Sequence, residues 1–321
     1  MKVGILCSGG DAPGMNAVIR SVVRCALSSG CETVGIRRGF RGIIEGDFLP
    51  LSSRDVGGML AKGGTFLLSS REERFKEARF RERAYKNLES EGVDALIVLG
   101  GEGTFKGAEL IAEEMDIPVI GVPCTIDNDV GATEYCVGYD TAVRNAVDAI
   151  DKIRDTASSH ERIFLVEVMG RRRGFIAVEV GLATGAELIL IPEEDYPKER
   201  IPEDVKRAKS MGKLHFIIVV AEGYGSAQEL GNFLSEKMRE TFGEVRATVL
   251  GHTQRGGPPT PKDRIMGMKF GEVALEALLS GEKRGFVAFR KDRFYIEDFG
   301  RSREYKDIDR EALRLSRKLD L

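Results

Sequence analysis

Three short segments hold the residue types that a phosphoryl transfer needs, and each follows an apolar stretch. The first is Cys7-Ser8-Gly9-Gly10-Asp11, after Val3–Leu6, and the second is Gly100-Gly101-Glu102-Gly103-Thr104, after Ala95–Leu99. The third, Thr125-Ile126-Asp127-Asn128-Asp129, follows Ile117–Val122 and a Pro-Cys step. Glycines in such turns let backbone N–H groups close on phosphate oxygens, and the next helix N-terminus adds a favourable dipole. Carboxylates beside such a cradle would repel bare phosphate. They make chemical sense with a cation to hold or a proton to remove. Together the segments read as a phosphoryl-transfer site.

The surrounding chain alternates strands and helices. Met15, Val18, Ile19, Val22, Val23 and Ala26 fall at helical spacing after the first glycine turn, and a strand is predicted at Glu32–Ile36. A basic segment runs from Arg71 to Arg83, and a second strand-turn-helix covers Val93–Met115. Further on, a helix is expected at Thr141–Ala157 and strands at Ile163–Glu167, Leu188–Ile191, Phe216–Ala221 and Thr248–Gly251. Helices are expected near Phe175–Ala183, Pro202–Ser210, Gln228–Thr241, Arg264–Leu279 and Arg310–Lys318, with a hairpin of Phe286–Phe289 and Phe294–Ile296 around Lys291-Asp292. Such alternation predicts an α/β fold: two doubly wound units with mainly parallel sheets and helices on both faces. Ligands of such sheets bind beyond the carboxyl ends of strands, where all three segments fall.

Size and charge narrow the class. The 321 residues suffice for one large or two medium domains, and the net charge of −3 is made of interspersed acids and bases. That balance argues against a nucleic-acid or membrane surface. The longest apolar runs are too short to span a bilayer, and the immediate first strand predicts no signal peptide. Five cysteines (Cys7, Cys25, Cys31, Cys124, Cys136) show no metal-ligand spacing and read as reduced thiols of a cytosolic protein.

Neither glycine turn fits the commonest phosphate motifs. Gly9 and Gly14 have Walker-like spacing, but Met15-Asn16 stands where that motif needs Lys-Ser/Thr. Lys106 stands where a dinucleotide fingerprint wants glycine or alanine. The segment Gly9–Asn16, the Gly-Gly-Glu-Gly-Thr turn and Pro123–Asp129 together resemble the bacterial-type 6-phosphofructokinase family. So do Met169-Gly170-Arg171, the Ala221-Glu222-Gly223 turn and Leu250–Gly257, in order over nearly the whole chain.

The resemblance implies two similar α/β domains with the active site in the cleft between them. Residues 1–138 plus about 256–304 would bind the phosphoryl donor, and 139–255 plus about 305–321 fructose 6-phosphate. It implies Asp127 as the base for the sugar 1-hydroxyl, and Thr125, Arg171 and Gly10 as groups that hold the moving phosphoryl. Gly10, Arg71, Glu102, Gly103 and Thr104 would bind ATP, with Mg²⁺ at Glu102 and Asp129. Thr125, Asp127, Arg162, Met169, Gly170, Arg171, Glu222, Arg246, His252 and Arg255 would bind fructose 6-phosphate. Planar arginine forks suit its 6-phosphate, and the counterparts of Arg162 and Arg246 come from a neighbouring subunit of a homotetramer.

Two further expectations follow from the resemblance. Arg20 and Arg24, one turn apart on the first helix, would bind an anionic effector (ADP or phosphoenolpyruvate) with Arg154, Gly185, Glu187 and Lys213. Pyrophosphate-using relatives typically carry aspartate where Gly103 stands and lysine where Cys124 stands. This chain has neither, which favours ATP, although Glu102 and Cys124 depart from the usual aspartate and glycine. A pyrophosphate-dependent enzyme and a non-catalytic sugar-phosphate or nucleotide sensor are the alternatives.

Overall fold

The computed structural model describes residues 1–238 and 244–319. In chain order the elements begin β1 Lys2–Cys7, α1 Met15–Ser28, β2 Glu32–Ile36, α2 Phe40–Glu45 and β3 Phe48–Pro50. Next come α3 Ala78–Glu91, β4 Ala95–Gly100, α4 Glu102–Met115, β5 Val119–Pro123 and α5 Tyr139–His160. The middle holds β6 Ile163–Val168, α6 Phe175–Thr184, β7 Leu188–Leu190, α7 Ile201–Ser210, β8 Phe216–Ala221, α8 Ala227–Met238 and β9 Val245–Val249. The last are α9 Pro261–Leu279, β10 Arg284–Arg290, β11 Arg293–Glu297 and α10 Arg310–Leu319. Among the described residues no helix is long and apolar enough to cross a membrane.

The chain divides into two compact units: Met1–Thr141 with Arg255–Lys306, and Ala142–Gln254 with the segment from Asp307 onward. The borders differ from the expected ones by one to three residues, which puts Tyr139–Thr141, Arg255, Tyr305 and Lys306 in the first unit. The first unit has a seven-stranded sheet in the order β11-β10-β5-β4-β1-β2-β3. Its inner pairings are parallel, while β3 and β11 close the two edges antiparallel. All six residues of β4 are buried, as a strand covered on both faces requires. Phe105 of α4 stacks on Phe286 of β10 with ring centroids 5.1 Å apart and leans on Phe299 at 5.6 Å. The β10–β11 turn is made by Lys291 and Asp292, both left-handed (φ 49° and 59°), the primed geometry that matches strand twist.

The second unit has a four-stranded, wholly parallel sheet, β7-β8-β6-β9. β8 is buried throughout. α6 is apolar on nearly every face because it is covered on both sides, by α10 and by strands β7 and β8.

One expected strand is shifted. The predicted strand Thr248–Gly251 starts earlier, at Val245, and Gly251 opens a 3-10 turn that runs to Arg255. Within the basic segment 71–83, Arg74 pairs with Glu72, Arg79 with Glu77 and Arg81 with Glu114. Helix α8 is described to Met238, and the end of the predicted 228–241 helix lies outside the described residues. The short α2 and the edge strand β3 carry no period long enough to read.

Candidate active site

Strand order sets the first part of the site. β1 leads through α1 to β2 on one side, and β4 leads through α4 to β5 on the other. The order therefore reverses between β1 and β4, and a crevice opens at the carboxyl ends of such a pair. Both glycine turns stand there. The Ser8 N–H donates to the Leu99 carbonyl (3.0 Å), and the Thr104 hydroxyl donates to the Ser8 carbonyl (3.0 Å). Gly100 has to be glycine: a Cβ there would lie 2.2 Å from the Thr104 hydroxyl and 2.6 Å from the Ser8 carbonyl. Thr104 is buried, and its N–H is also spent, on the Gly101 carbonyl (3.0 Å). It therefore ties the two turns together, and the α4 N-terminus leaves the Glu102 and Gly103 N–H groups outside the helical ladder.

The other donor-side residues surround these turns. A Cβ on Gly103 would meet nothing within 4 Å. Gly10 lies under the guanidinium of Arg255, where an added Cβ would sit 2.0 Å from a nitrogen. That guanidinium donates to the Asp11 carbonyl (2.6 and 3.2 Å) and pairs with its carboxylate (3.4 Å). Arg71 is exposed and follows Ser70, whose carbonyl accepts from the Gly9 N–H (3.1 Å). Asp11 was not foreseen as a partner of Arg255.

The acidic run continues from β5, the neighbour of β4. The Cys124 N–H donates to the Gly100 carbonyl (2.9 Å), and a Cβ added at Gly101 would meet the Thr125 side chain at 3.8 Å. The Thr125 hydroxyl accepts the Asp127 N–H (3.2 Å). Asp127 is 7 % exposed, so bulk water competes little for its carboxylate, whereas Asp129 is half-buried. Asn128 between them is left-handed (φ 51°), a conformation asparagine tolerates.

In the second unit the candidate sugar-phosphate residues follow three adjacent strands. Met169, Gly170 and Arg171 come after β6, Glu222 after β8, and His252 after β9. Glu222 accepts the N–H groups of Gly170 (3.0 Å) and Arg171, which holds Arg171 in a left-handed turn (φ 55°) with its side chain exposed. The Met169 N–H donates to Oε1 of Gln254, a fully buried residue that sequence reasoning passed over. Arg162 (3.0 Å) and Arg246 share one carboxylate, Glu244, so an anion approaching either fork would compete with that carboxylate. His252 is exposed.

The candidate effector residues fall into two groups. Arg154 donates to the Thr184 and Gly185 carbonyls, and Glu187 pairs with Lys213 (3.7 Å). Glu187 and Lys213 line a cavity of about 620 Å³ together with Arg200, Arg207 and Arg317. Arg20 and Arg24 lie on α1, in the first unit. One guanidinium nitrogen of Arg20 is buried with no hydrogen-bond partner, the state an anion would relieve.

All five cysteines are free thiols. Burial pushes the Cys7 and Cys136 thiols up to about 12 and Cys124 well up too, so none supplies a thiolate near neutral pH. Cys31 is buried and Cys25 half-buried. A thiol reagent at pH 8 should modify at most about one thiol per native chain, at Cys25, and every thiol in denaturant. Rapid native labelling of Cys7 or Cys124 would contradict this placement. Burial likewise raises Asp263 in α9, although its carboxylate accepts from Tyr135, Gly138 and Thr141.

Among the described residues no cluster of three or more His, Cys, Asp or Glu forms a ready metal cage. Magnesium on a phosphate substrate needs none, because one or two carboxylates suffice beside phosphate oxygens and water. Glu102 and Asp129 fit that donor set. Glu102 is half exposed and pairs with Lys106 (2.6 Å), an i,i+4 pair worth roughly 0.3–0.5 kcal/mol and readily exchanged.

Comparison with known proteins agrees with this geometry. The family model described as Phosphofructokinase matches residues 2–278. An ATP-dependent 6-phosphofructokinase of Aquifex aeolicus is 69 % identical over 319 residues, covering 99 % of each chain. One of Persephonella marina is 51 % identical over 315 residues, 96 % of this chain and 97 % of the relative. The solved T-state phosphofructokinase of Pichia pastoris superposes with a TM-score of 0.87 at 32 % identity, over 94 % of this chain and 35 % of that longer one. A pyrophosphate-dependent phosphofructokinase of Marinobacter aquaeolei shares the fold alone (TM-score 0.83, 23 % identity, 96 % of this chain and 85 % of that one). With two joined glycine turns, an acidic run beside them and matches along its whole length, the chain belongs to the phosphofructokinase family.

Proposed function

We propose that this chain transfers the terminal phosphoryl group of ATP to the 1-hydroxyl of D-fructose 6-phosphate, giving fructose 1,6-bisphosphate and ADP. The observation that carries this reading is the register of β1, β4 and β5. It joins both glycine turns and sets Thr125, two residues before a buried Asp127, against the second of them. The names of the relatives at 69 % and 51 % identity support ATP as donor, as does the open space at Gly103.

In this reading the first unit serves the donor and supplies Thr125, Asp127 and Arg255, and the second unit supplies the other sugar-phosphate ligands. The turn at Gly10 and the N-terminus of α4 at Gly103 receive the ATP phosphates, with Arg71 beside them and Thr104 fixing the cradle. Glu102 and Asp129 hold Mg²⁺, which when bound neutralises charge on the phosphate oxygens. Arg162, Arg246 and His252 hold the 6-phosphate, and Arg255 joins them by exchanging the Asp11 carbonyl for phosphate oxygen. Met169, Gly170 and Glu222 contact the sugar. Asp127 accepts the proton of the 1-hydroxyl as its oxygen attacks the terminal phosphorus and the bond from that phosphorus to the ADP oxygen breaks. Thr125 and Arg171 stabilise the charge on the moving group.

The protein acts in the cytoplasm as a homotetramer in which Arg162 and Arg246 serve a neighbouring subunit's site. Arg154, Gly185, Glu187 and Lys213, with Arg20 and Arg24, bind ADP or phosphoenolpyruvate. An assay coupled to fructose 1,6-bisphosphate formation tests the activity. Turnover is expected with fructose 6-phosphate, ATP and Mg²⁺, and tight binding of the sugar phosphate without product would establish a sensor instead.

A further inference from the structure

We infer that Lys306 is a positioning residue for the acidic loop, setting where the carboxylates of Asp127 and Asp129 stand. The inference rests on the roles proposed for those two residues. After Asp127 the backbone turns through the left-handed region at Asn128 and again at Ala132 (φ 57°) before it returns at Cys136. Asn128 closes this loop on itself: Oδ1 accepts the Cys136 N–H (3.0 Å), and Nδ2 donates to the Glu134 carbonyl (3.2 Å). A bridge between Cys124 and Val137 joins the two ends.

The loop is docked on a segment far away in sequence. The Gly131 N–H donates to the Ser302 carbonyl (2.9 Å), and a Cβ at 131 would come within 2.5 and 2.6 Å of the Arg301 and Glu304 carbonyl oxygens. Lys306 ends that segment, at the last residue before the chain leaves the first unit. Its ammonium donates to the Asn128 carbonyl (2.8 Å) and to the Glu134 carbonyl (3.2 Å). The Asn128 carbonyl belongs to the peptide that joins Asn128 to Asp129. One half-buried cation therefore grips both limbs of the loop at the peptide between the two carboxylates.

Charge-assisted bonds of this kind are roughly twice as strong as neutral ones, and a left-handed non-glycine persists only where its surroundings over-determine it. Without the ammonium, the Asn128 peptide loses a bond that helps to fix it, and a shift of that peptide displaces the carboxylates on either side. A shift of about 1 Å at a reacting group can lower a rate by about 10²-fold, while ground-state contacts made elsewhere keep their strength.

The test compares Lys306→Met and Lys306→Arg in the full chain, with Asp127→Ser measured alongside. For Lys306→Met, kcat per folded molecule should fall about 10- to 100-fold, with KM for both substrates within about threefold of wild type. Lys306→Arg keeps charge and donors and should restore kcat to within about fivefold. Thermal melting gives the folded fraction, and Lys306→Gln, which retains a neutral donor, should fall between the two if the Met variant folds poorly. Wild-type kcat in folded Lys306→Met, a loss that Arg does not restore, or equal effects on kcat and both KM values would overturn the inference. An inactive Asp127→Ser beside a fully active Lys306→Met would sink the Lys306 role alone. An active Asp127→Ser would sink the reading beneath it.

Discussion

Asp127→Ser is expected to lower kcat by about 10²- to 10⁴-fold while the affinity for fructose 6-phosphate stays within about threefold. The hydroxyl that attacks phosphorus must shed its proton as the new bond forms, and serine is far too weak a base to take it. The ground state needs no base, since in the proposed reading charge on the 6-phosphate is met by Arg162, Arg246, His252 and Arg255. Asp127 is buried and its N–H is already bonded within the acidic run, so the shorter serine leaves the backbone of the loop in place. Steady-state kinetics and calorimetric titration with the sugar phosphate read the two quantities separately. More than about a tenth of wild-type turnover would contradict the assigned base.

The second large effect is expected at Gly103. Gly103→Asp should lower kcat/KM for ATP by about 10³-fold without lowering the melting temperature. Like charges about 4 Å apart repel by about 4 kcal/mol at an effective dielectric constant near 20, which corresponds to about 10³-fold in rate. Nothing lies within 4 Å of the added Cβ, so the protein accommodates the side chain. An acid in the first turn of α4 also faces the favourable end of the helix dipole, worth about 0.3–1 kcal/mol. Gly103→Ala, which adds bulk without charge, should cost far less activity. ATP turnover within about fivefold of wild type in the Asp variant would show that donor phosphates do not pass this position.

Much of this was legible in the sequence because the deciding signals are local. β2 and β8 lie where their apolar runs predict, and the helices after the glycine turns follow from the period of their buried residues. The turns could be read as phosphate cradles because glycine and strand-to-helix order are properties of neighbouring residues. What stayed hidden depends on partners distant in the chain. Arg255 reads as a phosphate ligand, yet it lies on the Asp11 carbonyl, 244 residues away. Nothing near Asp263 marks it as a fully buried carboxylate that orders the start of α5 through Thr141. Lys306 sits among other charged residues and looks like ordinary surface until the fold brings Asn128 to it. Glu244, which bridges Arg162 and Arg246, is visible only once β6 and β9 are paired.

The most direct test is steady-state kinetics of the wild-type chain with fructose 6-phosphate and Mg²⁺, comparing ATP with pyrophosphate in parallel. Turnover to fructose 1,6-bisphosphate with ATP and none above background with pyrophosphate is the predicted result. Product from pyrophosphate alone, or from neither donor, would contradict the account.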